Sequence, residues 1–197
     1  MRATKILPIF FALALSANAS IVTVLFSGSI TQVPIDDVFG DIQFGDPFQG
    51  TYSFDSAASD LIPSPSAGSY SFTAPLGIAA TIGSHTFAAT GSLNIGILNG
   101  VIDQYTVLAF SPTADLAIQL LLQDNSAAVF STDQLPSLPP LISAFTQRDF
   151  QLTFSLDGAE LQAAGQLEVL TAVPEPRAVT LGILAGLALA LARRARS

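Results

Sequence analysis

Residues 150–169 read FQLTFSLDGAELQAAGQLEV, which is two alternating runs separated by Asp157-Gly158. The first run alternates Phe and Leu with Gln, Thr and Ser, and the second alternates apolar residues with Gln, Ala and Glu. A period of two predicts β-strands with one buried face. Asp-Gly between such runs predicts a β-hairpin, because this dipeptide accepts the positive φ of a type I′ turn.

The same pattern continues outward along the chain. Asn99-Gly100 predicts a second two-residue turn, between strands at 93–98 and 101–110. Pro136, Pro139 and Pro140 predict a long loop, followed by one helical turn at 141–145. About ten short strands predict an all-β fold, an antiparallel β-sandwich or jelly roll, with most Phe side chains in its core. The remaining predicted strands are 21–30, 49–55, 68–74, 78–82, 85–90 and 114–123.

The first 19 residues have the order of a secretory signal peptide. Two basic residues precede an apolar run at 6–15, and the small residues Ala17 and Ala19 follow it. This order predicts cleavage by signal peptidase between Ala19 and Ser20. The alternative is an uncleaved membrane anchor, although the apolar run is shorter than the roughly 20 residues that a spanning helix needs.

The last 25 residues have a different order. The motif Val173-Pro174-Glu175-Pro176-Arg177 is followed by an uncharged run at 178–192 and by Arg193, Arg194 and Arg196. The run is a little shorter than the ~17–25 residues of a typical span, but it could cross a thin bilayer as a transmembrane helix. The cationic tail would then remain in the cytoplasm. The alternative is a core helix with a basic end.

This C-terminal order resembles the PEP-CTERM sorting signal of Gram-negative bacteria. The resemblance implies that Pro174, Glu175 and Pro176 are recognised by an exosortase, a membrane-embedded processing enzyme, in bacteria that make extracellular polysaccharide. It also implies that the span and the three Arg hold the chain transiently in the inner membrane. Arg177 departs from a purely apolar approach to the span. Two prolines keep such a motif extended, as a protease substrate should be.

The chain therefore divides into a signal peptide at 1–19, an exported β domain at 20–172 and a sorting signal at 173–197. Residues 20–173 contain a single basic residue, Arg148, against 14 acids, which gives a net charge of −13. Such a domain should repel anionic polymers and prefer neutral or cationic partners. Nucleic acid is excluded as an expected partner, because the positive charge that displaces its counterions is missing.

The chain lacks the common catalytic motifs, among them the zinc-protease, phosphate-loop, dinucleotide and nucleophile-elbow signatures. It has no Cys and one His, His85, which we expect at a turn or strand edge. We therefore predict that the protein is not an enzyme. The alternative is a secreted polysaccharide hydrolase that uses two carboxylates, which 14 acids do not exclude.

Two binding hypotheses remain open. Asp36, Asp37, Asp41 and Asp46 form an acidic stretch that could bind calcium weakly, with Asp55 and Asp60 completing the site if the fold brings them near. No other cofactor is expected. Glycan recognition would use Tyr52, Tyr70 and Tyr105, because sugar faces stack on exposed aromatic rings.

The sequence thus predicts an exported, exosortase-processed protein of the outer cell surface or extracellular matrix. Its partners would be signal peptidase, the exosortase, the membrane through the C-terminal span, and extracellular polysaccharide. The β domain would be structural or adhesive, with a calcium-dependent glycan-binding module as a further alternative. The oligomeric state stays open.

Overall fold

The computed structural model describes residues 21–33, 41–62, 64–111, 115–156 and 159–173. These residues form ten strands and one short 3₁₀ turn, which confirms the all-β prediction. In chain order they are β1 (Ile21–Gln32), β2 (Pro47–Asp55), β3 (Ala67–Thr73), β4 (Ile78–Ile82), β5 (His85–Ala89), β6 (Ser92–Asn99), β7 (Asp103–Ser111), β8 (Leu116–Asp124), the 3₁₀ turn Ile142–Ala144, β9 (Gln147–Leu156) and β10 (Ala159–Val173).

All ten strands belong to one antiparallel sheet, in the order β3-β6-β7-β8-β9-β10-β1-β2-β4-β5. The sheet is curled into a half-barrel, so that β5 at one edge contacts β7 and β8 on the far side of the interior. The prediction of a sandwich or jelly roll is therefore wrong in its detail. The first strand pairs with the last, and this pairing joins the strands into one continuous sheet.

Aromatic side chains fill the concave interior. Phe48 on β2 stacks on Phe150 on β9 with ring centroids 4.2 Å apart, and Phe26 on β1 lies 6.2 Å from Phe150. Inward positions of β7 and β8 add aliphatic side chains that are fully buried. Burial of this apolar area is the main favourable contribution to folding, at roughly 25 cal/mol per Å². The alternating residues thus bury one face of the sheet, as their spacing predicts.

Glycines make room for these rings. A Cβ atom at Gly165 would lie 2.6 Å from Phe48 Cε1, and one at Gly28 would lie 2.7 Å from Phe48 Cζ. Both contacts are closer than side chains tolerate. Glycine at these two positions therefore allows the Phe48 ring to lie against the backbone of β1 and β10.

The local predictions have mixed outcomes. The β9–β10 hairpin is confirmed by the pairing of Leu156 with Ala159, while its turn at 157–158 lies outside the described residues. The predicted two-residue turn at Asn99-Gly100 is wrong, because Asn99 pairs with Asp103 and three residues connect the strands. The predicted helical turn is confirmed as Ile142–Ala144. Most described Phe side chains are buried, and exceptions are Phe44 and Phe110.

The two ends of the domain lie side by side. Thr23, near the start of β1, pairs with Val173, the last residue of β10. Outward-facing Leu25 and Val169 on the same two strands are each 44% exposed, so this end carries an apolar surface. The predicted cleavage site, the motif residues 174–176 and the three Arg lie outside the described residues.

Candidate functional site

The convex face of the sheet carries glutamines at alternate positions of neighbouring strands. These side chains point outward because the residues between them, such as Leu120 and Phe150, fill the core. We call this surface the glutamine face. Its members on β7, β8, β9 and β10 are Gln104, Gln119, Gln123, Gln147, Gln151, Gln162 and Gln166.

Strand register arranges these glutamines in rows across the sheet. Gln123 on β8 is opposite Gln104 on β7 and also opposite Gln147 on β9. Four residues earlier on β8, Gln119 is opposite Gln151. Directly opposite residues have Cβ atoms about 4.5–5.5 Å apart, so the first row brings three amides together and the second brings two.

A cleft of about 350 Å³ opens on this face. Gln119 and Gln151 line it together with Thr31, Asp149 and Leu121. Within the described part of the chain, neither glutamine side chain hydrogen-bonds to another residue, whereas Gln147 Nε2 donates to Asp149 Oδ2 over 2.6 Å. The cleft therefore presents amide donors and acceptors beside a small apolar surface.

A second polar group lies at the turn between β4 and β5. His85 Nε2 contacts Asp41 Oδ1 at 2.6 Å, and Ser84 Oγ donates to Asp41 Oδ2 over 3.0 Å. These hydrogen bonds, the one from His85 being the stronger influence, hold the pKa of Asp41 below its usual value. Ser84 bonds to the carboxylate and not to the imidazole, so this arrangement does not activate a serine nucleophile. It ties the segment before β2 to the hairpin, and it confirms His85 as a strand-edge residue.

The predicted calcium ligands are only partly described. Asp36 and Asp37 lie outside the described residues, Asp41 bonds Ser84 and His85, and Asp46 accepts a hydrogen bond from the Gln43 amide. Asp55 accepts a hydrogen bond from the Ala57 backbone amide in its own turn. Asp60 accepts hydrogen bonds from the backbone amides of Ser69 on β3 and of Ile62, and these lower the pKa of Asp60. No three His, Asp or Glu side chains among the described residues form a group suited to a metal ion.

The tyrosines do not form a sugar-stacking surface, so that hypothesis is corrected. Tyr52, Tyr70 and Tyr105 are at most 4% exposed. The hydroxyls of Tyr52 and Tyr105 lie 3.1 Å apart in the core, and burial raises the pKa of both. Tyr70 donates to the Asp133 carbonyl and accepts from the Leu135 amide, which fastens the long loop to β3.

Within the described ranges no helix is long and apolar enough to cross a membrane. Comparison with protein-family models, with curated proteins and with solved structures finds no match to this chain. Function is therefore proposed from the chemistry of the glutamine face and from the sorting signals that the sequence predicts at the two ends.

Proposed function

We propose that the domain is a non-catalytic adhesive or structural module of the cell surface or extracellular matrix, and that its glutamine face binds neutral polysaccharide. The observation that carries this proposal is the amide-lined cleft between Gln119 and Gln151. Each amide offers two donors and an acceptor, which match the hydroxyl groups of a sugar. Leu121 beside them supplies apolar contact for the sugar ring.

Charge narrows the class of polymer. A domain with a net charge of −13 repels acidic polysaccharides at low ionic strength. The glutamines themselves are uncharged, so they bind hydroxyl-rich ligands without an opposing field from their own side chains. Neutral chains of hexoses are therefore the ligands that fit this face best.

The predicted terminal signals support a location of the domain outside the cell. We propose that signal peptidase cuts after Ala19, that the span at 178–192 holds the chain briefly in the inner membrane, and that an exosortase acts at Pro174–Pro176. The pairing of Thr23 with Val173 supports a shared membrane-proximal end, because the first and last strands of the domain start and finish side by side. That end faces the membrane while the glutamine face stays accessible outside.

A hydrolase fits the cleft less well. Glycoside hydrolysis uses two carboxyl groups, which in most families are about 5–10 Å apart across the scissile bond. Among the described residues that line the cleft, Asp149 is the one acid. We therefore assign binding and not cleavage to this site.

Affinity electrophoresis of the native protein tests the binding proposal. Gels would contain dextran, hydroxyethylcellulose or polygalacturonate, and migration would be compared with a gel without polymer. We expect retardation by at least one neutral glucan and none by polygalacturonate. Equal migration in all gels, or retardation only by the acidic polymer, would contradict the assignment. Reducing-end release by the same samples would expose a hydrolase.

Intact mass spectrometry tests the location. Protein from the culture medium should start at Ser20 and end near Pro174–Pro176. A membrane-bound species that retains Arg196 would show instead that the C-terminal segment is a permanent anchor.

A further inference from the structure

Two buried acids lie opposite each other where β7 begins and β8 ends. Asp103 is the first residue of β7 and pairs with Asp124, the last residue of β8. Both continue the inward-facing alternation of their strands, and they are 0% and 4% exposed. Asn99 on β6 pairs with Asp103 from the other side. Three oxygen-bearing side chains therefore follow one another across three adjacent strands.

The following loop holds one oxygen of each acid. Asp103 Oδ2 accepts hydrogen bonds from the amides of Val129 and Phe130, at 2.6 and 2.8 Å. Asp124 Oδ2 accepts from the Ser126 amide over 3.0 Å and also from the Ser126 hydroxyl. Both bonds lower the pKa of Asp124, and the bond from the Ser126 hydroxyl has the larger effect. The loop thereby fixes the orientation of both carboxylates.

The other oxygen of Asp103 has no partner. Asp103 Oδ1 is buried and accepts no hydrogen bond within the described residues. A buried polar atom left in this way costs about 1–3 kcal/mol, more for a charged group, so native proteins normally satisfy it with a water or an ion. Like charges on opposite residues of a strand pair add a further cost. The site therefore needs positive charge or a donor that the described residues do not provide there.

Among the described residues, Arg148 is the one Lys or Arg that could supply positive charge to this site. Its place on β9 is opposite Leu122, one inward position from Asp124. Among the described residues it forms no ion pair with either acid, and its own Nε is buried without a partner. The acid pair thus has no counter-charge from the part of the chain that the structure describes.

We propose that Asp103, Asp124 and Asn99 bind one divalent cation, and that the cation is Ca²⁺. Carboxylate and amide oxygens are hard ligands that suit Ca²⁺, whereas zinc prefers His and Cys. Ca²⁺ takes six to eight oxygens, so the proposal requires further oxygen ligands, from water or the main chain, beside these three side chains. The site is separate from the acidic stretch at 36–46, and it does not depend on the glutamine face.

Calcium titration of the full chain, freed of metal by chelation, tests this site. Isothermal titration should give one Ca²⁺ per chain, and Ca²⁺ at tenfold its Kd should raise Tm by about 3–6 °C. Asp103→Asn and Asp124→Asn keep the size of the side chain and should each weaken binding at least tenfold. Asp149→Asn and Asp41→Asn remove the same charge elsewhere and should bind like the wild type.

Three outcomes would overturn the proposal. Wild-type protein that neither binds Ca²⁺ nor gains Tm would rule out a calcium site at Asp103 and Asp124. Loss of binding in Asp41→Asn alone would move the site to the acidic stretch. Equal loss in all four variants would indicate diffuse attraction to net charge. If Asp103→Asn does not fold, Asp124→Asn and the wild-type stoichiometry decide the question.

Discussion

Strands β8 and β9 have two faces of opposite chemistry. Inward, Leu120 and Phe150 are buried in the core; outward, Gln119 and Gln151 line an open cleft. The residues that form these two surfaces are neighbours in sequence and differ only in the parity of their position. In one alternating pattern, the inward residues therefore pack the core and specify the fold, and the outward residues remain available for ligand binding.

Removal of an inward ring should have the largest effect. Phe150→Ala deletes the ring that stacks on Phe48 and should lower the free energy of unfolding by about 3–5 kcal/mol. Gln151→Ala, one residue along on the other face, should change it by less than about 0.5 kcal/mol. Urea unfolding of both variants measures the contrast. Similar losses in the two variants would show that the faces are not energetically distinct.

The buried hydroxyl pair tests the polar part of the interior. Tyr105→Phe leaves the Tyr52 hydroxyl without its partner at 3.1 Å and should cost about 1–3 kcal/mol. The double variant with Tyr52→Phe removes both hydroxyls and should recover part of that loss. Urea unfolding of the two single variants and the double variant completes this cycle, and strictly additive losses would contradict coupling of the pair.

The same pair predicts sensitivity to alkali. Burial raises the pKa of Tyr52 and Tyr105 above the usual 10.0, so the folded state retains protons that the unfolded state releases. Their contribution to stability is complete below pH 10 and falls as the pH rises above it. The midpoint of urea unfolding between pH 9 and 11 should therefore fall more steeply in the wild type than in the double Phe variant.

Loss of the exposed contact of Asp41 with His85 and Ser84 should have the smallest effect on the free energy of unfolding. Hydrogen bonds from His85 and then Ser84 lower the pKa of Asp41, so this contribution is present above the usual 3.8 and is lost as the pH falls through the folded-state pKa. Asp41→Asn should flatten the acid side of the stability profile slightly, and Ser84→Ala should flatten it less. Unfolding midpoints from pH 5 to 2 measure both, and a reversed order would contradict the ranking.

The sequence predicts the strands well because the alternation is local. Predicted strand 78–82 coincides with β4, and the run at 150–156 lies within β9. The single curled sheet could not be predicted in this way. The pairing of β1 with β10 joins residues about 150 positions apart, and no local pattern specifies that partnership.

The candidate site was likewise only partly predictable from the sequence. Alternation shows that Gln119 and Gln151 face outward, but only the register shows that they are opposite each other. The tyrosine hypothesis is wrong, and the sequence itself indicates this for one of the three: Tyr105 shares the parity of the buried Val107, so its ring faces the core. The burial of Asp103 could not be predicted with the same security, because a carboxylate at an inward position normally indicates a turn or a strand end rather than a buried site.

The most direct test of the glutamine face measures glycan affinity and stability on the same samples. Gln119→Ala with Gln151→Ala would be compared with wild type and with Gln49→Ala, which alters an outward glutamine on β2 that does not line the cleft. We predict that retardation by the neutral glucan falls at least tenfold in the double variant, while the free energy of unfolding stays within about 1 kcal/mol of wild type. Unchanged retardation in the double variant, or an equal loss in Gln49→Ala, would contradict the account.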